Sequence, residues 1–153
     1  MYAALKKRPL DIGADRIARA ALAALRLLGD VREDLNQPIP LCWEPGTLAR
    51  TQAIEVYPAA TLKARDFVHT GYKGSAVEAR AARESISRKL SGEFKIDSAA
   101  LQEGLESDHL LDAMICVAAG FDFLDGKCLK PENQSKAKRE GWIWVRDPNA
   151  AAK

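Results

Sequence analysis

The sequence predicts an α/β or α+β domain in which helices outnumber the strands of a sparse sheet. Apolar residues recur at helical spacing in about five segments, whereas only two or three short runs are rich in β-branched and aromatic residues. The 153 residues, 47% hydrophobic and 29% charged, fit a single domain with one core. We therefore expect one domain over residues 1–146 and a disordered tail over residues 147–153.

Composition and charge exclude several classes of protein. The net charge is +2, from 23 basic and 21 acidic residues, so any basic surface for nucleic acid has to be local. Three cysteines without a C-x-x-C pair, and only two histidines, argue against a zinc site. No apolar run is long enough for a membrane span or a signal peptide. We expect a cytoplasmic protein with reduced thiols and no membrane partner.

The first predicted helix covers residues 13–29, where apolar side chains recur every three to four positions and Gly29 provides a stop. Arg16, Arg19 and Arg26 fall together on its opposite face. Two interpretations stay open for this arginine stripe: a solvated helix face, or a surface that contacts a phosphate backbone.

A proline-rich connection and the clearest strand follow. Residues 30–50 hold three of the seven prolines, and within them residues 39–43 predict a short edge strand. Residues 53–57 predict a buried strand of good strand formers that Pro58 ends. Glu55 is an ionisable residue inside that strand, and its presence there needs an explanation.

The centre of the chain predicts two helices around a glycine-flanked loop. Residues 59–67 predict a short helix, and the loop HTGYKGS follows at residues 69–75. Ser75 and Glu78 have the spacing of a capping box for a longer helix that ends at Gly92.

The last third of the chain contains its most apolar segment. Residues 98–105 predict a small helix, and residues 107–126 predict a helix with almost no polar face, which should lie centrally in the core. Residues 131–140 are polar and predict a loop. Residues 141–145 are rich in tryptophan and β-branched residues and predict a second strand.

Three acidic residues stand out because they interrupt or adjoin these apolar segments: Glu55, Asp108 and Asp112. Asp108 precedes Asp112 by one helical turn, so both point to the same side. An ionised carboxylate that is dry and unpaired is costly, so each acid needs a partner, a metal or a raised pKa. Carboxylates from separate elements that converge on Mg²⁺ or Mn²⁺ are what phosphodiester hydrolysis requires.

Structural roles stay open for each acid. Asp108, or the serine before it, can cap the helix that follows. Glu55 can lie on an edge strand in water or pair with an arginine such as Arg16 or Arg50. Asp112 can belong to a buried ion pair, although capping does not explain an acid one turn inside an apolar helix.

Four blocks in sequence order resemble characteristic blocks of the domain-of-unknown-function family described as predicted ribonuclease H-like nucleases: IEVYPAATL, GYKG, SDHLLDAMICVAAG and EGWIWV. ADRIARAAL, near the start, also resembles the family's block before its glutamate-bearing strand. The resemblance runs from about residue 10 to residue 145. It implies an α/β fold with a ribonuclease H-like mixed sheet flanked by helices and with acids at the centre of the sheet.

The resemblance also implies a site for Mg²⁺ or Mn²⁺ with a phosphate-binding rim. Glu55 matches the acid of the family's E-V-Y-P block, and Asp108 and Asp112 match the acids of its D-H-x-L-D-A block. These three acids would be both catalytic residues and metal ligands. The residues that would bind the phosphate backbone, unless they are ordinary surface residues, are Lys73 of the Y-K-G block, Arg16 and Arg19.

The chain departs from the family's pattern at its start. Members usually begin with a strand that carries a glycine-and-aspartate turn, and they place a further Asp before a Pro in a second acidic strand; nothing before residue 10 supplies either. We therefore expect a partial ribonuclease H-like domain, truncated at its N-terminus, with an incomplete metal site and an exposed sheet edge. A second copy of the chain, the 39–43 segment or a missing N-terminal portion would fill that edge, so a homo-oligomer is one expectation.

The function predicted from the sequence is that of a metal-dependent nuclease acting on phosphodiester bonds of DNA or RNA, with a metal site that we expect to be incomplete or inactive in this chain. The alternative is a non-catalytic interaction module that keeps the ribonuclease H-like fold. Another phosphate-handling enzyme on the same core is a third interpretation, although no glycine-rich phosphate loop is visible.

Overall fold

A computed structural model of the chain describes residues 15–47 and 50–150, including the side chains of the first helix from Arg19 onward. Within these ranges the fold is mixed α/β and mostly helical, with six helices and two short parallel strands. The elements are α1 (Asp15–Leu35), β1 (Glu55–Val56), α2 (Pro58–Ala64), α3 (Val77–Glu93), α4 (Ser98–Glu106), α5 (Asp108–Leu124), α6 (Gln134–Glu140) and β2 (Ile143–Trp144). The prediction of an α/β class in which helices outnumber the strands of a sparse sheet is confirmed. No helix in these ranges is both long enough and apolar enough to cross a membrane.

The two strands form a narrow parallel pair in which Glu55 lies opposite Ile143. Each strand covers two residues, fewer than the runs predicted from the sequence. Trp144 on β2 is 2% exposed and contacts Phe123 edge to face, with ring centroids 5.0 Å apart. An aromatic cluster therefore anchors the strand pair to α5.

The 39–43 segment lies beside the chain just before β1. The N–H of Ala53 donates to the carbonyl of Pro40 at 2.9 Å, and the N–H of Cys42 donates to the carbonyl of Ala53 at 2.8 Å. The predicted edge strand is thus reduced to a single parallel bridge between Leu41 and Ala53. The 39–43 segment nevertheless covers part of the sheet edge, beside Ala53, that was expected to be exposed.

The largest core cluster lies between α2, α3 and α5. Burial of each large apolar side chain in it contributes roughly 1.5–3 kcal/mol. Its members with the least exposure are Leu62, Tyr72, Ile86, Leu90, Leu111 and Ile115. Tyr72 belongs to a loop, so the core fixes that loop beside α5.

The end of α1 differs from the prediction. Gly29 does not stop the helix, since a glycine inside a helix costs only about 1 kcal/mol. The helix ends instead with Asn36 in the left-handed region at a φ of 47°, and the N–H of Gln37 donates to the carbonyl of Arg32 at 3.2 Å. This is the geometry of a Schellman cap, with asparagine in place of glycine.

The apolar face of α1 is largely open to solvent. Leu22 and Leu25 are 50% and 66% exposed, and the described part of α1 contributes no residue to the three core clusters. Periodicity therefore identified this helix correctly, while its packing depended on the rest of the fold.

The start of α3 and the segment before β2 were also predicted wrongly. α3 begins at Val77 after Ala76, with no side-chain cap, so the capping box of Ser75 and Glu78 does not form. Residues 131–140 are not all loop, because they contain α6. The side chain of Asn133 caps that helix by accepting the N–H of Lys136 at 2.9 Å.

α5 is central to the core, as predicted, but only along one face. Ile115 and Ala118 are buried there, whereas Val117 and Phe121 are 61% and 50% exposed. The same helix carries two of the predicted acids, Asp108 and Asp112, at its beginning.

Candidate functional site

Asp108 and Asp112 both contact the loop at residues 72–74. Ser107 caps α5, since its Oγ accepts the N–H of Leu110 at 3.4 Å. Asp108 is therefore not the cap of its own helix. Its Oδ2 instead accepts the N–H of Gly74 at 2.9 Å.

Asp112 has a partner for each of its carboxylate oxygens. Oδ1 accepts the O–H of Tyr72 at 2.8 Å, and Oδ2 pairs with the Nζ of Lys73 at 2.6 Å. The Asp112 side chain is 19% exposed and that of Lys73 is 59% exposed, so the ammonium group reaches the carboxylate from the solvent side. These partners explain how an acid is tolerated inside an apolar helix.

The Tyr72 phenol is held in its neutral, donating form. Burial raises its pKa well above the usual value, and the hydrogen bond to Asp112 raises it further, because ionisation would place a phenolate against a carboxylate. Burial likewise raises the pKa of the Cys116 thiol, which lies one turn after Asp112, and the Asp112 charge adds to the shift. Neither group is suited to act as a base or nucleophile near neutral pH.

The 72–74 loop is shaped by glycines and held from within the core by an arginine that the sequence did not single out. Gly71 and Gly74 have φ values of 72° and 95°, which favour glycine. Arg83 on α3 is 5% exposed, and its guanidinium donates to the carbonyls of Tyr72 and Gly74, both at 2.8 Å. A signal was available, because position 83 lies at helical spacing from Ala79 and Ile86 on the buried face of α3.

Glu55 is exposed, so the expectation of a carboxylate in a buried strand is wrong. Side chains alternate along a strand, and Val56 next to it is half-buried. Among the described residues the side chain of Glu55 forms no hydrogen bond or ion pair, and it lies at a small cleft of about 20 Å³ beside Trp142 and Trp144. This agrees with the alternative in which its side chain is solvated.

The three predicted acids do not form one cluster. Within residues 15–47 and 50–150, no three His, Cys, Asp or Glu side chains are grouped so as to hold a metal ion. The structure brings Asp108 and Asp112 to the same loop and does not group Glu55 with them. Of the predicted basic residues, Lys73 pairs with Asp112 and Arg19 lies exposed on α1. The side chain of Arg16 is outside the described part.

A buried acid, Asp122, was missed. It is 2% exposed, and its Oδ1 accepts from Arg65 at 2.8 Å and from Arg146 at 3.0 Å, while Arg65 also pairs with Glu93. Burial raises the pKa of the Asp122 carboxyl, although both guanidinium groups oppose this shift. The signal was available, because GFDFL places an acid in an apolar run just as the sequence around Asp112 does.

Comparison with known proteins identifies the family of the chain. A family model described as "Protein of unknown function (DUF429)" matches residues 2–136. The chain belongs to the DUF429 family. The matched region of this DUF429 protein includes Glu55, the 72–74 loop, Asp108 and Asp112, and it ends before β2. No curated protein and no solved structure matches the chain.

Proposed function

We propose that this DUF429 protein is a metal-dependent nuclease with a ribonuclease H-like core that hydrolyses phosphodiester bonds in a nucleic acid. The observation that carries the proposal is the convergence of Asp108, Asp112 and Lys73 at one loop. Two carboxylates suit a hard divalent cation, and a solvent-exposed lysine beside them suits a phosphate group.

The donor set fits Mg²⁺ or Mn²⁺. Mg²⁺ in phosphate-handling sites is commonly held by one or two carboxylates and completed by water and substrate phosphates, so a pair of aspartates can supply the protein ligands. In this proposal Asp112 is a direct ligand and Asp108 a second ligand, whereas Glu55, which is not grouped with them in the described residues, is not a ligand of this cation. When bound, the cation would stabilise charge on the phosphoryl group.

Lys73 has two roles in this scheme. Without a cation its ammonium group neutralises Asp112, and its exposure leaves room for the long side chain to move. With the cation bound, Lys73 would turn to the phosphate backbone. Arg16 and Arg19 on α1 are proposed as further contacts to the nucleic acid.

The ribonuclease H-like sheet and a homo-oligomer belong to the same proposal. The support for the sheet is the parallel pairing of β1 with β2 and the helices that accompany them. For the oligomer, we propose that a second copy pairs with the part of the sheet edge that residues 39–43 leave uncovered. Sedimentation equilibrium tests this point, and a monomer at all concentrations would refute it.

Cleavage of labelled DNA and RNA in the presence of Mg²⁺ or Mn²⁺ tests the enzymatic proposal. Asp112→Asn should abolish metal-dependent cleavage because it removes the charge of the central ligand. Asp34→Asn, which changes an exposed aspartate on α1, is the matched control and should cleave like the wild type. Equal activity of the wild type and Asp112→Asn would exclude Asp112 from the reaction.

A non-catalytic interaction module is the second candidate. It is favoured by the ion pair that already neutralises Asp112 and by the position of Glu55 outside any three-acid group of the described residues. This candidate predicts metal-independent binding of a nucleic acid without cleavage. Fluorescence anisotropy with and without the cation separates the two functions.

A further inference from the structure

We propose that Arg83 is a positioning residue of this site, whose buried guanidinium holds the 72–74 loop in the conformation that presents Lys73 to Asp112 and the Gly74 N–H to Asp108. The positioning itself is a property of the fold. Only its consequence for metal binding and cleavage rests on the proposed function.

The guanidinium of Arg83 bonds to two separate parts of the chain, the 72–74 loop and the end of α4. Its Nη1 donates to the carbonyls of Tyr72 and Gly74, both at 2.8 Å, and its Nε donates to the carbonyl of Leu105 at 2.7 Å. The Leu105 carbonyl belongs to the last turn of α4, where helix carbonyls lack partners and a cation is favourable. Arg83 thereby ties the loop to the end of the helix that precedes α5.

Each end of the loop is bonded on two sides. The Tyr72 carbonyl binds Arg83 while its phenol donates to Asp112; the Gly74 carbonyl binds Arg83 while its N–H donates to Asp108. Lys73 lies between these two fixed residues. The direction of its side chain toward Asp112 therefore depends on a loop conformation that Arg83 and α5 define together.

The charge of Arg83 has no carboxylate partner among the described residues, because all of its hydrogen bonds go to carbonyl oxygens. Buried arginines are usually paired with acids, since an uncompensated buried charge is costly. Asp112 and Asp108 are bonded to Tyr72 and Gly74, the same two residues whose carbonyls Arg83 binds. The burial of Arg83 is explained if its hydrogen bonds fix the 72–74 loop and its charge faces the carbonyl oxygens of that loop.

A lysine at position 83 should not replace the arginine fully. The rigid fork of a guanidinium reaches several carbonyls at fixed angles, whereas an ammonium group is a compact point charge on a flexible stem. Arg83→Lys therefore keeps the charge but loses the geometry, and Arg83→Met loses both while keeping an unbranched stem. Arg88→Met, at an exposed position on the same helix, is the matched control.

One measurement that does not require activity tests the proposal in the folded variants: hydrogen exchange of the Gly74 amide by NMR. Loss of the hydrogen bonds that order the loop should speed Gly74 exchange by about tenfold or more in Arg83→Met, with a smaller increase in Arg83→Lys. Arg88→Met should match the wild type.

The outcomes separate this inference from the proposed function. A wild type that neither binds Mn²⁺ nor cleaves nucleic acid, but shows the expected changes in Arg83→Lys, would refute the nuclease and leave the positioning role intact. If Gly74 exchange in Arg83→Lys equals that of the wild type, the positioning role is overturned, whether or not Arg83→Met folds. With an active wild type, both Arg83 variants should also bind Mn²⁺ about tenfold more weakly or worse.

Discussion

Alkaline pH should destabilise the protein through Tyr72, and the effect should disappear in Tyr72→Phe. Tyr72 is 2% exposed and donates its O–H to Asp112 at 2.8 Å. Removing that proton in the folded state would leave a buried phenolate facing a carboxylate. For this reason the pKa of Tyr72 is raised in the folded protein, with burial as the larger cause and Asp112 as the next.

The sign and size of the effect follow from proton linkage. The unfolded tyrosine loses its proton near pH 10, and the folded one only at higher pH, so the stabilisation is complete below about pH 10 and is lost as the pH rises above it. While only the unfolded chain has released the proton, the free energy of unfolding falls by about 1.4 kcal/mol per pH unit. Between roughly pH 10.5 and 11.5, an unfolded pKa near 10 gives a loss of about 1.2 kcal/mol from this one group.

Urea unfolding at a series of alkaline pH values and constant ionic strength measures this loss. The quantity to compare is the pH slope of the wild type minus that of Tyr72→Phe, because other groups titrate in the same range in both proteins. Parallel pH dependence of the wild type and Tyr72→Phe above pH 10 would refute the reasoning.

Two further predictions concern stability at neutral pH. Asp122→Ala should lower the free energy of unfolding by about 3–5 kcal/mol, because it leaves the buried guanidinium of Arg65 without its buried carboxylate. Glu93→Gln alters the more exposed partner of the same arginine and should cost about 1 kcal/mol or less. Equal losses in urea unfolding would contradict this ranking. Gly141→Ala should cost about 1–3 kcal/mol, since Gly141 has φ 89° and ψ 158°, a conformation nearly restricted to glycine. Gly92→Ala in α3, where an added methyl group meets nothing within 4 Å, should instead be neutral or stabilising by up to about 1 kcal/mol, and a similar loss in both glycine variants would contradict the conformational argument.

Local pattern predicted the helices well where one physical cause dominates, whereas the strands are shorter than predicted. The periodicity of residues 98–105 and 107–126 corresponds closely to α4 and α5. It failed for α6, because a short, largely polar helix of which only Ala137 is buried has little apolar periodicity. The predicted stop at Gly29 was also wrong. Glycine disfavours a helix only weakly, and the helix continues through it to Leu35.

The candidate site was predictable in part. Asp108 and Asp112 could be placed on one helix face because residues four apart are neighbours on a helix, and the structure agrees. Their partners were not predictable from spacing, since Tyr72 and Lys73 lie about 40 positions away in sequence. Helical spacing could have placed Arg83 on the buried face of α3, since it lies four residues after Ala79 and three before Ile86, but the loop that it binds could not be read from spacing.

The sequence by itself determined the family, the predominance of helices, and the helical turn that puts Asp108 and Asp112 on one side of α5. Only the tertiary structure decided that Glu55 faces solvent, that Lys73 neutralises Asp112, and that Arg83 holds the loop between the aspartates. The physical reason is that helix propensity and periodicity act over a few residues, whereas burial and ion pairing depend on which distant segments pack together. The electrostatic state of each acid is therefore set by contacts that no local pattern contains.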